Sequence, residues 1–488
     1  MKKTWTALII AMVAFFLISS TLPAQGRNNQ GTPTTVVVGT GNPLIDVPAV
    51  QYAVDQGGTV LLKGTFDFGT DSGNHIIVPG RAGAAQDVKG KSTVFIYKEN
   101  VTILGVKDKR GNLLTVVKNG MPPFWIGWDG NVTRTQPDGT DGVDYGTEYF
   151  PQDAAGLIDY RDTGPEPGYA GPQIRYALPF QNVSATVKNI YFDSPKHYGV
   201  KATAGQNITV IGNVFRSVQF GGLVHGNGLF TATHVAVAAV GGGLAYAPFV
   251  YPAITGNIDL EDNVVDDAGT ESINTHWGEC YGLGSLATNA TVTMKGNYIQ
   301  NIGRKHDGTF SDVILAGGLL LIDNYGGQPR VERNVVQNSL VYGLWDLVAI
   351  APTPGPRIVG NTFIDCSVSA IQTESVIGPR EGVTIDWNLV FEDGLYGNGQ
   401  ASITGNSLSG ALMRWNWFAG TYAAPLVLLN NASNCKLLMN VDLRHSIPAW
   451  APTYFLDILS SGNLIVGTSG TAVDNGTNNR ILLPGYKK

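Results

Sequence analysis

Arg333-Asn-Val-Val336, Gly360-Asn-Thr-Phe363 and Trp387-Asn-Leu-Val390 are three copies of one short pattern, in which Asn precedes two mostly apolar residues. Further copies centre on Asn189, Asn213, Asn263, Asn297 and Asn416, with weaker ones at Asn440 and Asn463. The gaps from Asn334 onward are 27, 27, 28, 24 and 23 residues, and the earlier gaps are 24, 50, 34 and 37. Self-similarity at such a period indicates a repeat architecture with longer loops in its first half.

The residues before each Asn alternate between apolar and polar, as in Ile208-Thr-Val-Ile211. Period-two alternation predicts a strand with one buried face. Asn tolerates the left-handed conformation, so we expect it at a sharp bend between two strands. Stacked coils would bring these amides about 4.8 Å apart, where they can hydrogen-bond along a column. Helical repeats are disfavoured by so many Asn, Gly and β-branched residues, and the pattern predicts a parallel β-solenoid.

The composition of the 488 residues excludes two classes of protein. Hydrophobic residues make up 43% and charged residues 14%, which is the opposite of a disordered chain. The formal net charge is −6 and there is no long basic run, so nucleic acid is not expected as a partner. Cys280, Cys366 and Cys435 are odd in number and widely spaced, which argues against a disulfide framework.

The N-terminus has the three parts of a secretory signal peptide. Lys2 and Lys3 precede an apolar run from Ala7 to Ile18, and small residues follow up to Ala24. The alternative is a membrane anchor, but the run is shorter than the roughly 20 residues that span a bilayer. We therefore predict that residues 1–24 are removed and that the protein is extracellular, periplasmic or at the cell surface, with no membrane span in the mature chain.

The start of the mature chain resembles the pectate-lyase-like superfamily. Pro48-Ala-Val-Gln-Tyr-Ala-Val-Asp-Gln56 is similar to its short cap helix, Gly57 to Phe68 to its first coil, and Asn100-Val-Thr-Ile-Leu-Gly105 to a further rung. The resemblance implies an all-β fold: a single-stranded right-handed parallel β-helix with a short N-terminal capping helix and one long inserted loop region. It also implies a polysaccharide groove along one strand face. The expected organisation is an N-terminal segment with the cap helix at 25–57 and the β-helix at 58–488.

The inserted loop region is predicted at 119–180, where the repeat vanishes and Pro, Gly, acidic and aromatic residues dominate. Its aromatic residues, Trp125 and Trp128 among them, would form a sugar-stacking wall or pack against the flank of the solenoid, and packing is favoured. Asp138, Asp141 and Asp144 would gather ligands for calcium or form a solvated acidic turn, and the turn is favoured. Calcium is therefore a candidate cofactor only.

Charged residues crowd after the Asn at 189, 213, 263 and 297, and they supply the candidate catalytic groups. These are Asp266, Asp267, Glu271, His276, Arg304 and Lys305. A uronate lyase needs a cation for the sugar carboxylate and a base for the adjacent proton. A hydrolase needs two carboxylates, about 5–5.5 Å apart for retention or 6.5–9.5 Å for inversion. Both reactions stay open, as does the ordinary role of such groups in solvated turns.

The candidate substrate-binding residues come from the same columns and from strand alternation. They are His197, Lys201, Arg216, Trp345 and Glu374. Alternation in Ala370-Ile-Gln-Thr-Glu374 predicts Gln372 and Glu374 on the outer face, with Trp345 or Asp346 outward on the neighbouring coil. Three tryptophans flank the Asn corners, where packing between rungs is favoured over sugar stacking: Trp387, Trp415 and Trp417.

The catalytic signatures of the pectin-degrading families are absent from the sequence. There is no Arg-x-Pro-x-x-Arg strand, no Asn-Thr-Asp with Gly-His-Gly, and no Asp-Phe-Ile-Phe-Gly. Two functions therefore remain. One is an exported polysaccharide lyase or glycoside hydrolase that binds polysaccharide along the β-helix. The other is a non-catalytic β-solenoid that acts in adhesion, as a scaffold or in a surface layer. The oligomeric state is open.

Overall fold

The computed structural model describes residues 34–69, 75–79, 85–89, 93–96, 98–120, 123–126, 183–195, 199–202, 205–218, 235–240, 254–268, 279–286, 288–303, 315–348, 352–392, 401–421, 424–444, 452–467, 470–484 and 486. The predicted signal peptide and most of the predicted insertion lie outside these ranges. Within them, no helix has the length and apolarity that a membrane crossing requires.

Most of the described chain forms three long sheets of parallel strands, which we call sheets A, B and C. Sheet A contains, in spatial order, β1 (Thr34–Val38), β2 (Thr59–Lys63), β7 (Val101–Gly105), β10 (Ala185–Lys188), β13 (Gly205–Ile211), β16 (Ile254–Glu261), β19 (Asn289–Lys295), β22 (Arg330–Glu332), β25 (Arg357–Val359), β29 (Thr384–Asp386), β33 (Leu412–Arg414), β36 (Lys436–Leu438), β39 (Leu464–Val466) and β41 (Arg480–Leu482). Sheet B contains β3 (Thr65–Phe68), β8 (Val116–Asn119), β11 (Tyr191–Asp193), β14 (Val214–Val218), β17 (Val264–Ala268), β20 (Tyr298–Ile302), β23 (Val335–Ser339), β26 (Thr362–Cys366), β30 (Leu389–Glu392), β34 (Trp417–Gly420) and β37 (Val441–Arg444).

Sheet C runs alongside in the same order of rungs. It contains β6 (Val94–Ile96), β9 (Phe124–Ile126), β12 (Val200–Ala202), β15 (Val235–Val240), β18 (Glu279–Leu286), β21 (Leu315–Ile322), β24 (Tyr342–Val348), β27 (Ser369–Ser375), β31 (Ile403–Asn406), β35 (Val427–Asn430), β38 (Tyr454–Leu456) and β40 (Ala472–Asp474). Two pairs stand outside these sheets: β28 (Arg380–Glu381) pairs with β32 (Leu408–Ser409), and β4 (His75–Pro79) forms an antiparallel pair with β5 (Ala85–Lys89).

Each coil passes from sheet A to sheet B to sheet C, and the next coil pairs with it in parallel. In sheet B, for example, Val335 pairs with Thr362, Thr362 with Leu389 and Leu389 with Trp417. The same side-chain position therefore recurs on successive rungs about 4.8 Å apart. The predicted parallel β-helix is confirmed.

The core lies inside the coil, where alternate side chains of all three sheets meet. Phe192 and Phe215 stack there at a centroid distance of 4.7 Å, and both are fully buried. Phe124 and Phe68 continue the aromatic column towards the N-terminus in edge-to-face contacts. Burial of a large apolar side chain stabilises the fold by about 1.5–3 kcal/mol, so the repeated core position is a main source of stability.

A single helix among the described residues, α1 (Pro43–Asp55), packs at the N-terminal end of the coil. The side chain of Asn42 caps it by accepting a hydrogen bond from Leu44 N at 3.1 Å, and Pro43 occupies the first turn. The predicted helix at 48–56 is therefore confirmed but begins five residues earlier, because the Asn-Pro start signal lies ahead of the amphipathic stretch. Val47, Val50 and Val54 of its buried face join the core.

The asparagines form the predicted column, but they are not the residues at the sharp bend. Side-chain amides hydrogen-bond from Asn213 through to Asn440 at 2.9–3.2 Å. The left-handed residue is instead the one before each Asn, such as Arg333 at φ 55° or Trp387 at φ 58°. The two positions have different requirements. The bend residue must only adopt the left-handed conformation, whereas the Asn beside it must be buried so that its amide can hydrogen-bond to backbone groups of the neighbouring rungs.

Two of the predicted copies, at Asn189 and Asn463, do not belong to the asparagine column. Asn189 has φ 60° and is itself the bend residue, so the column position in that coil is Ile190, whose N–H donates to Asn213 Oδ1 at 3.0 Å. Asn463 lies before sheet A, not sheet B, and forms a separate short ladder with Asn479 at 3.0 Å. A residue counted from Asn189 therefore lies one position earlier in its strand than the residue with the same offset from a column asparagine. Asp193, for example, pairs with Arg216.

Candidate functional site

One column on the outer face of sheet C contains three of the polar or aromatic residues that alternation singled out. Strand pairing places Lys201 on this column beside Trp125, and Trp345 further along beside Gln372. Lys201 Nζ lies 4.0 Å from the centroid of the Trp125 ring. Four rung steps of about 4.8 Å separate Lys201 from Trp345, through Ala238, Gly284 and Leu320. The two candidates thus share a face and not a pocket.

Around Trp345 the outer face carries a continuous chain of side-chain hydrogen bonds. Trp345 Nε1 donates to Glu374 Oε1 at 2.7 Å, and Asn406 Nδ2 donates to Glu374 Oε2 at 3.1 Å. Asn430 Nδ2 then donates to Asn406 Oδ1 at 2.8 Å. Glu374, Asn406 and Asn430 occupy one position on three successive rungs. The structure therefore brings together Trp345 and Glu374, two of the candidate substrate-binding residues.

Aromatic and amide groups complete this region, which we call the sheet C site: Tyr342, Trp345, Gln372, Glu374, Asn406 and Asn430. The Tyr342 and Trp345 rings lie 5.3 Å apart. Burial raises the pKa of the Tyr342 hydroxyl to about 12, and the negative charge of Glu374 acts in the same direction. Gln372 is 4% exposed, and its Oε1 has no hydrogen bond to the described residues. Gln372 thus faces outward as predicted but is not exposed.

Of the two neighbours Trp345 and Asp346, it is Trp345 that turns to the outer face. Leu344 belongs to the core and the alternation continues from it, so Asp346 points inward. There Asp346 forms a buried ion pair with Arg380 at 2.6 Å. Trp345 therefore lies on the outer face of the strand, but neither side chain is exposed as expected, since Trp345 is 6% and Asp346 1% exposed.

Arg216, Asp266 and Asp267 lie on sheet B and not on sheet C. Arg216 and Asp266 are paired neighbours on the outer face. A hydrogen bond with Tyr191 raises the pKa of the Arg216 guanidinium, and the charge of Asp266 adds to this effect. Asp266 Oδ1 accepts from Asn301 Nδ2 at 2.9 Å. Asp267 is the left-handed residue just before the last residue of β17, with φ 75°, and accepts a hydrogen bond from Ser217 at 3.3 Å.

Five of the sequence-predicted site residues lie outside the described residues: His197, Glu271, His276, Arg304 and Lys305. The strands that flank four of them are nevertheless described. Segments 269–278 and 304–314 both leave sheet B, from β17 and β20, where Ala268 pairs with Ile302. Both segments lead into sheet C, at β18 and β21, where Glu279 pairs with Leu315. The two segments therefore begin and end on adjacent rungs.

The described residues offer no ready metal site, since no group of three or more His, Cys, Asp or Glu side chains among them is placed to hold an ion. Asp138, Asp141 and Asp144, the predicted acidic turn, lie outside the described ranges. Calcium therefore stays a hypothesis for residues beyond those ranges.

Sequence reasoning missed Tyr342, Asn406 and Asn430 as parts of the sheet C site. Asn406 and Asn430 carry no motif, and their offsets from the column asparagines differ from that of Glu374 because the loops between sheets B and C differ in length. An alignment of the strands Gln372-Thr-Glu374 and Thr404-Gly-Asn406 would have found the first of them.

No family model matches this chain, and no curated protein matches it. Among solved structures, the chain is similar to PfbA, a surface adhesin of Streptococcus pneumoniae, with 14% identity, 93% of this chain and 95% of that chain covered, and a TM-score of 0.33. It is similar to the catalytic domain of a GH87 α-1,3-glucanase, with 12% identity, coverage of 94% and 67%, and a TM-score of 0.32. A Geobacillus virus E2 protein matches with 10% identity, coverage of 91% and 59%, and a TM-score of 0.26. Membership of the pectate-lyase-like superfamily stays a prediction.

Proposed function

We propose that this protein is an exported carbohydrate-active protein that binds a polysaccharide along the outer face of sheet C and cleaves it as a lyase or hydrolase. The observation that carries the proposal is the hydrogen-bonded chain from Trp345 through Glu374 and Asn406 to Asn430. Export rests on the signal peptide predicted for residues 1–24.

The chemistry of the sheet C site suits a sugar. A carboxylate and two amides offer both acceptors and donors, which is what a row of hydroxyl groups requires. The half-buried ring of Tyr342 offers flat apolar surface for the C–H face of a sugar ring, whereas the Trp345 ring is only 6% exposed and supports the site through its hydrogen bond to Glu374. Because the polar groups repeat once per rung, about 4.8 Å apart, they suit an extended polymer better than a small isolated ligand.

Cleavage needs groups that the sheet face alone does not supply. Glu374 is the single carboxylate among the described outward-facing side chains of β24, β27 and β31. Asp266 and Asp267 lie on sheet B, three rung steps of about 4.8 Å before the coil of Glu374, which is too far for a carboxylate pair that includes Glu374. A hydrolase would therefore take both carboxylates from Asp266, Asp267 and Glu271. A lyase would use Arg304 or Lys305 to neutralise the uronate and His276 or a basic residue to abstract the proton. The adjacent origins of segments 269–278 and 304–314 support grouping these residues.

A second candidate function, non-catalytic binding in adhesion or as a scaffold, is favoured by one specific observation. Both carboxylate oxygens of Glu374 already accept hydrogen bonds within the site. A carboxylate held in this way is well placed to orient neighbouring donors and poorly placed to transfer a proton. The site would then bind a glycan without turning it over.

The experiment that separates these functions is a screen of the purified protein against acidic and neutral polysaccharides. Unsaturated uronate absorbance reports a lyase, new reducing ends report either reaction, and affinity electrophoresis reports binding. Each assay is run with and without a chelator. Absence of both turnover and binding across the panel would refute the carbohydrate proposal, and binding without turnover would establish the second function.

Variants then assign the activity to residues. Glu374→Gln and Trp345→Phe should weaken binding at least tenfold, and Glu381→Gln, an exposed glutamate on β28, is the matched control. Retention of turnover in the triple variant Asp267→Ala, Glu271→Ala, Lys305→Ala would exclude these residues from catalysis.

A further inference from the structure

Two tryptophans adopt a left-handed backbone conformation, which is unfavourable for bulky residues. Trp387 and Trp415 are the bend residues before Asn388 and Asn416, with φ of 58° and 56°. Bulky side chains are rare in this left-handed region. In other rungs the same position is held by glycine, for example Gly296 and Gly360. Because tryptophan occupies this unfavourable backbone position on two successive rungs, we expect its side chain to have a function.

Both tryptophans present their rings at the surface, at the corner between sheets A and B. Trp387 is 57% exposed and Trp415 is 37% exposed. Their rings stack with a centroid distance of 5.4 Å and an angle of 12°. Just before them, Arg414 donates to both carboxylate oxygens of Asp386, at 3.1 and 2.5 Å, which ties the two rungs together. Trp415 thus covers one face of Trp387, and the other face points to the rung of Gly360.

The rung of Gly360 leaves room beside that ring. At Gly296 an added Cβ would stand 2.4 Å from Asp262 Oδ1, because the preceding side chain folds over the glycine. At Gly360 the nearest atom is Arg333 Cγ at 3.8 Å, an ordinary contact distance. Arg333 occupies the bend position of the preceding rung, so it faces Trp387 across Gly360.

The width of this opening fits one ring. Two rung steps separate Arg333 from Trp387, which is about 10 Å. Two van der Waals contacts of about 3.5–4.0 Å each fit within that distance. A ring placed over Gly360 would therefore contact Trp387 on one side and reach Arg333 on the other.

The charge around the opening selects an anionic ligand. Arg333 is exposed and has no ion pair with any described residue, although its positive charge counteracts the burial that raises the pKa of Glu261. Two other carboxylates near the opening are engaged by arginines: Glu332 with Arg357 at 3.7 Å and Asp386 with Arg414. We propose that Arg333, Gly360 and Trp387 form a binding site for one acidic sugar ring of a polysaccharide, with the C–H face of the ring on Trp387 and its carboxylate paired with Arg333. This site lies on a different face from the sheet C site and does not depend on it.

Isothermal titration with trigalacturonate and with its methyl ester tests the proposal, because the ester removes only the charge. Trp387→Gly and Arg333→Asn should each lower the affinity for trigalacturonate at least tenfold, and the ester should bind the unchanged protein at least tenfold more weakly. Both substitutions introduce residues that suit a left-handed backbone, so the melting temperature should not fall. Met439→Gly is the matched control, since Met439 holds the same bend position one rung beyond Trp415 with φ 56°, and it should leave the affinity unchanged.

Three results would overturn the proposal. The first is full affinity in Trp387→Gly, including the case in which only Glu374→Gln loses binding, which would leave the sheet C site as the single sugar site. The second is equal affinity for the acid and the ester. The third is self-association of the unchanged protein in sedimentation that disappears in Trp387→Gly, because the corner would then bind a second copy of this chain.

Discussion

Arg380 Nη2 lies 2.6 Å from Asp346 Oδ1, and the two side chains are only 3% and 2% exposed. Arg380 Nε donates to the second oxygen of Asp346 at 3.2 Å, and Thr373 donates to the same oxygen at 2.7 Å. Arg380 Nη1 also donates to the carbonyl of Thr353 at 2.9 Å. This buried network links sheet C to the turn that leads back to sheet A.

Breaking this pair on one side should be costly. Arg380→Met leaves a buried carboxylate without its cation, and we expect the free energy of unfolding to fall by about 3–5 kcal/mol. The double variant Arg380→Met, Asp346→Leu should recover much of that loss, because both buried charges are gone. Urea unfolding of the single and double variants measures the coupling. Arg357→Met, which breaks the exposed pair with Glu332, should cost less than about 1 kcal/mol, and strictly additive losses at 346 and 380 would contradict the prediction.

Substitution of an asparagine in the middle of the column should lower the stability of the fold. Asn361 Oδ1 accepts from Asn334 N and Asn334 Nδ2, each at 2.9 Å, and its own amide donates to Val331 O at 2.9 Å. Asn361→Ala therefore leaves several buried groups unsatisfied, at about 1–3 kcal/mol for each. Chemical unfolding should show this loss, while Asn289→Ala on the exposed side of β19 should change stability by less than about 0.5 kcal/mol. Equal effects of the two substitutions would argue against a stabilising ladder.

The acidic groups on sheet A should make stability depend on pH in an unusual direction. Burial raises the pKa of Asp259 above its ordinary value of 3.8, against a hydrogen bond from Thr293 and the charge of Lys295. A raised pKa in the folded state means that its contribution is fully present below 3.8 and is lost as the pH rises through the raised pKa. Asp259→Asn should therefore increase the melting temperature near neutral pH and lose this advantage in acid.

Asp108 supplies the control of opposite sign for this pH experiment. Hydrogen bonds from the side chain and backbone of Asn112 hold the pKa of Asp108 below its ordinary value. Its contribution is therefore present above that value and is lost as the pH falls, so Asp108→Asn should lower the melting temperature near neutral pH. Calorimetry across the acid range tests both variants, and a lower melting temperature of Asp259→Asn at neutral pH would refute the burial argument.

The thiol of Cys435 should be unreactive in the folded protein. Burial raises its pKa to about 11, and the thiolate is the reactive form. At mildly alkaline pH, iodoacetamide should leave Cys435 unmodified in the native protein and modify it after unfolding in urea, as peptide mass spectrometry would report. Lys436→Cys places a thiol on the exposed neighbouring position and should react rapidly. Rapid modification of native Cys435 would indicate that this part of the coil opens readily.

The candidate site was predictable only in part, and the strand pairing shows why. Alternation placed Glu374 and Gln372 on the outer face of sheet C correctly. Alternation did not distinguish Trp345 from Asp346 as the outward residue, because the strands are irregular just before them. Gly317 pairs with Tyr342 and Leu319 with Leu344, and Gly318 and Gly343 lie between these pairs. An irregularity of this kind reverses which face the following residues take. A Cβ on Gly343 would stand 2.4 Å from Phe363 Cδ1, so this glycine points into the core directly before Leu344.

The sequence by itself determined that this chain winds into parallel coils, because the alternating strands and the recurring Asn are local signals repeated many times. Tertiary structure alone decided which distant side chains share a column. Glu374, Asn406 and Asn430 meet although no motif connects them, and Trp387 faces Arg333 across Gly360 although each resembles an ordinary corner residue. The physical reason is that a column depends on the length of every loop between its members, and loop length is not encoded in the repeat.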